Sequence, residues 1–257
     1  MDGPIVTLTT DFGTSSHFVA AMKGVLLGIN PAARILDLSH DIPPFDLRHA
    51  AFFLAGALPY FPMGTLHVVV VDPEVGTDRD VLCIDVAGQR LLAPDNGCWT
   101  RLGEPTRVLR VTQPRFWRPA VSSTFHGRDV FAPVAAHLSL GVEPAELGPE
   151  ATRWRRLEWP TPPRLPDGVA GEIAFVDHFG NLITNIPGDT LPPLSTTRVA
   201  VGEAEARPVR TYADGCTGEL VALVSSGGLL EVAVVQGSAA RRLSAGVGVA
   251  VRVRWSP

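Results

Sequence analysis

The chain has 257 residues and a mass of 27.4 kDa; it is 46% apolar and 19% charged, with a formal net charge of -4. That is enough chain for one or two soluble domains with a buried core, and the mild acidity with scattered basic residues excludes nucleic acid as the main partner, since a phosphate backbone is held by clustered Lys and Arg. No run of about 18 uninterrupted apolar residues occurs and MDGPIVTLTTDFG has no basic region before an apolar stretch, so neither a membrane span nor a signal peptide is expected, and the expected compartment is the cytoplasm.

In chain order, IVTLTT (5 to 10) reads as a buried strand. Ser15 or Ser16 is placed to cap a helix in which Phe18, Met22, Val25, Leu26 and Ile29 share one face, and Asn30-Pro31 stops it. ILDL (35 to 38) is a second strand. After the Pro43-Pro44 turn, a helix from Leu47 to Leu58 has Asp46 as its cap. LHVVVVD (66 to 72) is apolar almost throughout, as a strand covered on both faces requires. Strands follow at VLCIDV (81 to 86) and RVLRV (107 to 111), and DVFAPVAAHLSL (129 to 140) forms a helix ending before Gly141. This alternation predicts an α/β domain with a mostly parallel sheet flanked by helices over residues 1–152, whose ligands collect beyond the carboxyl ends of the strands, where Asp11 and Asp72 stand.

Residues 153–170 form a stiff, proline-rich linker. Beyond it, EIAFVD (172 to 177), NLITNI (181 to 186), RVAV (198 to 201), ELVALVSS (219 to 226), LLEVAVV (229 to 235) and VGVAVRVRW (247 to 255) succeed one another without intervening helices. A smaller antiparallel β-barrel or sandwich over 171–257 is the reading. Cys83, Cys98 and Cys216 lie far apart with no CxxC spacing, so neither a disulfide framework nor a zinc knuckle is expected, and all three read as core residues. Of the 22 basic residues only Lys23 is lysine, a bias from which no function follows.

Five polar segments interrupt this apolar framework: TTDFG (9 to 13), VVDPEVGTDR (70 to 79), APDNG (93 to 97), TFHGRD (124 to 129) and DHFGNLITN (177 to 185). Taken singly, DPEVG and PDNG are good turn sequences and need no other explanation. No GxxxxGK[ST], GxGxxG, GxSxG or HExxH occurs, so a phosphate loop, a serine hydrolase elbow and a metal centre built from His126, Asp129 and Asp72 are all unsupported.

Together, and in this order, TTDFG, VVDPEVGT, LLAPDNG, TFHGRDVFAPVAAHL, DHFGNLITNI and SSGGLLEVAV resemble the S-adenosyl-L-methionine hydroxide adenosyltransferase family over essentially the whole chain. These are hydrolases of S-adenosylmethionine related to fluorinating and chlorinating enzymes. The resemblance implies an α/β N-terminal domain, a β-barrel C-terminal domain, no metal or other cofactor, and a homotrimer with nucleoside sites at subunit interfaces. It implies attack of water or hydroxide on the ribose C5′, releasing adenosine and L-methionine.

The leaving group of that reaction is a neutral thioether, which needs no general acid; what is needed is a nucleophile held in line and stripped of competing water. Asp72, Arg79 and His126 match the set that separates the hydrolases from their halogenating relatives. A carboxylate and an imidazole can orient water and accept its proton, while an arginine holds the carboxylate in a fixed fork. A turn salt bridge and a helix-capping histidine are the structural alternatives. An anion at position 72 also repels halide. The resemblance further places Asp11 on the ribose diol, with helix capping as its alternative, and Phe45 over the nucleoside, with ordinary core packing as its alternative. Asn181 falls on the adenine edge, Asp177 and Ser226 at the amino-acid end, and Glu231 and Val234 on the strand passing the base. Glu74, commonly Gly in the family, and Val235, usually a polar residue, are departures. Two other functions remain open at this stage: a halogenase on the same scaffold, and a non-catalytic adenosine or S-adenosylmethionine binding protein.

Overall fold

The run at 66–71, apolar except for His67, demands cover on both faces, and the computed structural model, which describes residues 3–255, provides it. The chain divides into two units, Met1–Leu157 and Glu158–Pro257. The first contains β1 (Ile5–Thr10), α1 (Phe18–Ile29), β2 (Arg34–Ser39), α2 (Leu47–Ala57), β3 (Leu66–Val70), β4 (Val81–Val86), β5 (Gln89–Pro94), β6 (Arg107–Arg110) and α3 (Ala132–Ser139). The strands form one sheet in the order β2-β1-β3-β5-β4-β6. β2, β1, β3 and β5 are mutually parallel, and β4 runs antiparallel to both its neighbours.

Successive residues of β3 face opposite sides, and each side has its own apolar core. Val68 and Val70 pack with Met22 and Leu26 of α1 and with Val134, Ala135 and Leu138 of α3. Val69 and Val71 pack with Ala50 and Leu54 of α2. Burying each of these leucines fully is worth about 2 kcal/mol, which holds helices too short to persist alone. Asp46 caps α2 as expected, its carboxylate accepting the His49 N–H at 2.9 Å. Neither Ser15 nor Ser16 caps α1. The cap position belongs to His17, with no side-chain bond, while the Ser16 hydroxyl donates to the Phe12 carbonyl.

β5 lacks the β-branched residues that mark a strand, and it forms because β4 supplies a partner through a two-residue turn. Ala87 and Gly88 both take positive φ there, 51° and 75°, the handedness that suits a tight hairpin.

The second unit contains β7 (Arg164–Leu165), β8 (Gly168–Val176), β9 (Leu182–Pro187), β10 (Thr197–Val201), β11 (Ala204–Pro208), β12 (Leu220–Val224), β13 (Leu229–Val234), α4 (Ala239–Leu243) and β14 (Ala250–Trp255). Strands β14-β10-β11-β12-β13-β9-β8 form a ring that the β14–β8 pairing closes, leaving no open edge among them, and the short β7 adds to β8. The pairs are antiparallel except β11 with β12. Ile173, Leu182, Val199, Leu220, Val232 and Val253 fill the interior.

Three details depart from the sequence reading. β8 begins at Gly168, within the stretch read as linker, because β14 pairs with Gly168. β11 has charged residues on its exposed side, which hides its pattern, and α4 interrupts the run of strands. Cys216 is exposed, in the turn that follows Tyr212–Asp214; Cys83 and Cys98 are buried, and burial raises both thiols to about 12. Among the described residues, no helix is long and apolar enough to cross a membrane.

Candidate active site

Two clefts gather the residues singled out above, one in each unit. In the first unit β1 and β3 are parallel neighbours with Thr10 opposite Val70, so Asp11 and Asp72 leave the sheet at the same carboxyl edge. That edge is where an open α/β sheet leaves room for a ligand. A cleft of about 290 Å³ opens there, lined by Asp11, Phe45, Asp72 and His126 together with Phe12, Phe18 and Thr124.

Asp72 is fixed from both sides. Before it, the buried Asn96 of the PDNG turn donates to the Val71 carbonyl at 2.8 Å and accepts the Cys98 N–H at 3.1 Å, so this turn secures the strand end. After it, the 73–78 turn brings Arg79 back onto the carboxylate. Arg79 Nε lies 3.2 Å from Oδ1 and 3.0 Å from Oδ2, and its Nη2 donates to Oδ2 at closer range. The two side chains are only 3% and 2% exposed. A bridge so buried gains little over an apolar pair because both charges lose their water, so the simple turn-bridge explanation does not account for its placement. Glu74 does not need positive φ and turns outward to Arg155, at 2.5 Å.

Arg79 Nη2 also lies 2.9 Å from His126 Nδ1. A guanidinium has no acceptor, so Nδ1 holds a lone pair and the proton of the neutral ring is on Nε2. Burial first, then the Arg79 charge, lowers the pKa of His126, while Asp72 and Asp129 pull it up. His126 makes no side-chain cap to the helix that follows, which excludes the capping alternative. It stands at the entry of a π-helical turn, Gly127–Phe131, that runs into α3. The segment before it is tied down by fully buried Asp129, whose carboxylate accepts Arg118, Arg128 and the Ser122 N–H.

Asp11 does not cap α1, which begins at Phe18. Its Oδ2 accepts the Phe45 N–H at 2.9 Å, and burial raises its carboxyl, with Phe45 opposing and Asp72 reinforcing the shift. Phe45 has φ 67° and is 68% exposed, so it is no core residue. A left-handed phenylalanine costs on the order of 1–3 kcal/mol, and the hydrogen bond from its own N–H to Asp11 helps to hold it there.

In the second unit a larger cleft of about 910 Å³ is lined by Asp177, Asn181, Ser226, Glu231 and Val234. Asp177 closes the FGN turn on itself: Oδ1 accepts the N–H groups of Phe179 at 2.9 Å and Asn181 at 2.8 Å, and Oδ2 accepts Asn181 Nδ2 at 2.9 Å. Because the carboxylate can only accept, this fixes the amide orientation of Asn181 and leaves its Oδ1 and second N–H for a ligand. Glu231 is 4% exposed; burial raises its carboxyl, against a hydrogen bond from the Tyr212 hydroxyl and with support from Asp177.

The sequence reading missed Tyr212, Phe179 and Thr124. Tyr212 opens a short 3-10 turn between β11 and β12, and only the folded barrel brings its hydroxyl onto Glu231. Among the described residues, no group of three or more His, Cys, Asp or Glu side chains converges as a metal site would.

Comparison with known proteins adds an independent line. The chain matches the SAM hydroxide adenosyltransferase N-terminal domain over residues 6–148 and the C-terminal domain over residues 171–252. It is 41% identical over 256 residues to a Salinispora arenicola protein named (R)-S-adenosyl-L-methionine hydrolase, covering 97% of each chain. A Nocardia brasiliensis protein named fluorinase is more distant, at 28% over 294 residues and 97% of each chain. The crystal structure of an uncharacterized conserved protein from Thermotoga maritima superposes with a TM-score of 0.90 at 37% identity, covering 97% of this chain and 99% of the other. Matched in both domains and along almost its full length, the chain belongs to the SAM hydroxide adenosyltransferase family.

Proposed function

We propose that this protein is an enzyme that hydrolyses (R)-S-adenosyl-L-methionine to adenosine and L-methionine, by attack of water or hydroxide at the ribose C5′. The observation that carries the reading is that Asp72 and half-buried His126 line the cleft that also holds Asp11, with buried Arg79 joining them from behind. The name of the relatives at about 40% identity supports the same activity, and fluorinases stand further off.

In this reading Asp11 takes the ribose diol and Phe45 covers the nucleoside. Asn181, Glu231 and Val234 face the base, and Asp177 with Ser226 faces the amino-acid end. His126 presents Nε2–H to the oxygen of a water, which turns a lone pair of that water toward C5′. The hydrogen bond from Arg79 to Nδ1 keeps the imidazole a donor, so the proton released on attack passes to Asp72 rather than to His126. The C–S electron pair leaves on the neutral methionine sulfur. No metal or other cofactor takes part in this scheme.

As the family resemblance implies, we further propose a cytoplasmic homotrimer with its sites at subunit interfaces; the division of the assigned residues between two clefts in separate units is compatible with that arrangement. The test is chromatography of products from purified protein incubated with S-adenosylmethionine, with and without chloride or fluoride, and sedimentation of the same preparation. Adenosine, methionine and a mass of three chains are expected. A 5′-halo-5′-deoxyadenosine product would make it a halogenase, tight adenosine binding without turnover would make it a binding protein, and a monomer would remove the interface sites.

A further inference from the structure

Behind the first cleft, a side-chain network that the scheme above does not use runs from the surface to the turn carrying Asp11. β1 and β2 are parallel with Thr9 opposite Ser39, so Thr10 and His40 meet one residue further on. Thr10 Oγ1 lies 2.9 Å from His40 Nδ1 and accepts the Phe12 N–H at 3.2 Å. His40 Nε2 lies 3.0 Å from Asp37 Oδ1, within ion-pair distance but without hydrogen-bond geometry, and Asp37 Oδ2 is held by Lys23, the chain's one lysine, at 2.5 Å. The His40 carbonyl accepts the Gly13 N–H at 2.8 Å. His40 therefore grips the turn on both sides of Asp11, through its ring at Thr10 and through its backbone at Gly13.

The Thr10 oxygen accepts the Phe12 N–H, while its hydroxyl and His40 Nδ1 share the other hydrogen bond, so the imidazole is tied through one side chain to the backbone just past Asp11. Carboxylate, imidazole and hydroxyl stand in the order of a nucleophilic triad, yet Thr10 is fully buried and does not line the cleft, so its hydroxyl attacks nothing. A buried histidine between a surface ion pair and the turn of a ligand-facing carboxylate has a different use. We propose that His40 is a positioning residue for Asp11, holding that carboxylate in the orientation that selects a ribose with both hydroxyls. The inference rests on the reading of Asp11 as the diol acceptor.

The test compares binding of adenosine and 2′-deoxyadenosine to the full-length protein by calorimetry; the ratio of affinities reads only folded protein, so a purely structural role leaves it unchanged. Wild type should prefer adenosine, and Asp11→Asn should lose that preference. Thr10→Val, nearly isosteric, and His40→Leu should each cut the ratio by about tenfold, the scale of one polar contact. His40→Asn, whose amide oxygen can reach the place of Nδ1, should retain it. Thr10→Val and His40→Leu proteins that keep the wild-type ratio, even with lowered melting temperatures, overturn the role of His40. An unchanged ratio in Asp11→Asn, or no preference in wild type, overturns instead the diol reading on which the role depends.

Discussion

Asp72 and His126 have their chemistry set by what Arg79 offers them. One guanidinium donates to the carboxylate and to Nδ1 of the imidazole, so the neutral imidazole has only its Nε2–H left to offer a ligand. Residue types alone left both side chains available as proton acceptors; only the 2.9 Å contact to Nδ1 separates their roles. If Asp72 takes the proton of the attacking water, Asp72→Ala should lower the rate of adenosine release by about 10² to 10⁴ while the protein still folds. Release at the wild-type rate would remove Asp72 from the chemistry. Asp11 and Phe45 are likewise coupled through the Phe45 N–H, a bond between residues 34 apart in sequence that no local pattern announces.

At the level of elements, the segments that carry the site are those where the chain cannot be regular. The 73–78 turn contains Gly76 at φ +85°, and a Cβ there would lie 2.3 Å from the Ser123 carbonyl oxygen, in the segment leading to His126. Gly76→Ala should therefore push that segment away from the turn that returns Arg79. A loss of about 1–3 kcal/mol of stability with a fall in activity is expected, read by thermal melting and by the rate of adenosine release. A variant that melts and turns over like wild type would show that the two segments are not coupled. The strands and helices of this unit were legible wherever burial is two-sided or one-sided with a clear period, as in β3 and α2. β5 was not, because its strand state comes from its partner β4 rather than from its own residues. The π-helical turn after His126 was likewise illegible, since DVFAPVAAHLSL reads as an ordinary helix from Asp129 on.

Across the molecule, one buried histidine ties stability to pH. His67 is fully buried on β3, its Nδ1 2.7 Å from the Thr7 hydroxyl, and burial lowers its pKa to about 4 despite a contribution from Gln89 in the other direction. The unfolded chain takes up this proton near 6.5, while the folded unit refuses it until about 4. Between those values the unfolded state binds more protons, so stability is full above about 6.5 and falls as pH drops through the window, by on the order of 3 kcal/mol at its lower end. Urea unfolding of the first unit from pH 7 to 4.5 should show this slope, and His67→Asn should flatten it; parallel slopes would rule His67 out as the cause.

Most of the strands and helices, the change from alternating elements to strands beyond the proline-rich stretch and the identity of the polar segments follow from periodicity, proline placement and local motif, which are properties of neighbours along the chain. Family membership was equally open to sequence, because the motifs recur in order over both parts. Tertiary structure alone decided which of those polar residues meet. Asp11, Phe45, Asp72 and His126 line one cleft with Arg79 behind them, because parallel pairing brings the ends of β1 and β3 together. The proton of His126 was assigned in the same way, as was the network from Lys23 through His40 to Thr10. Hydrogen bonds between residues tens of positions apart depend on strand register, and register is a property of the folded sheet rather than of any segment within it.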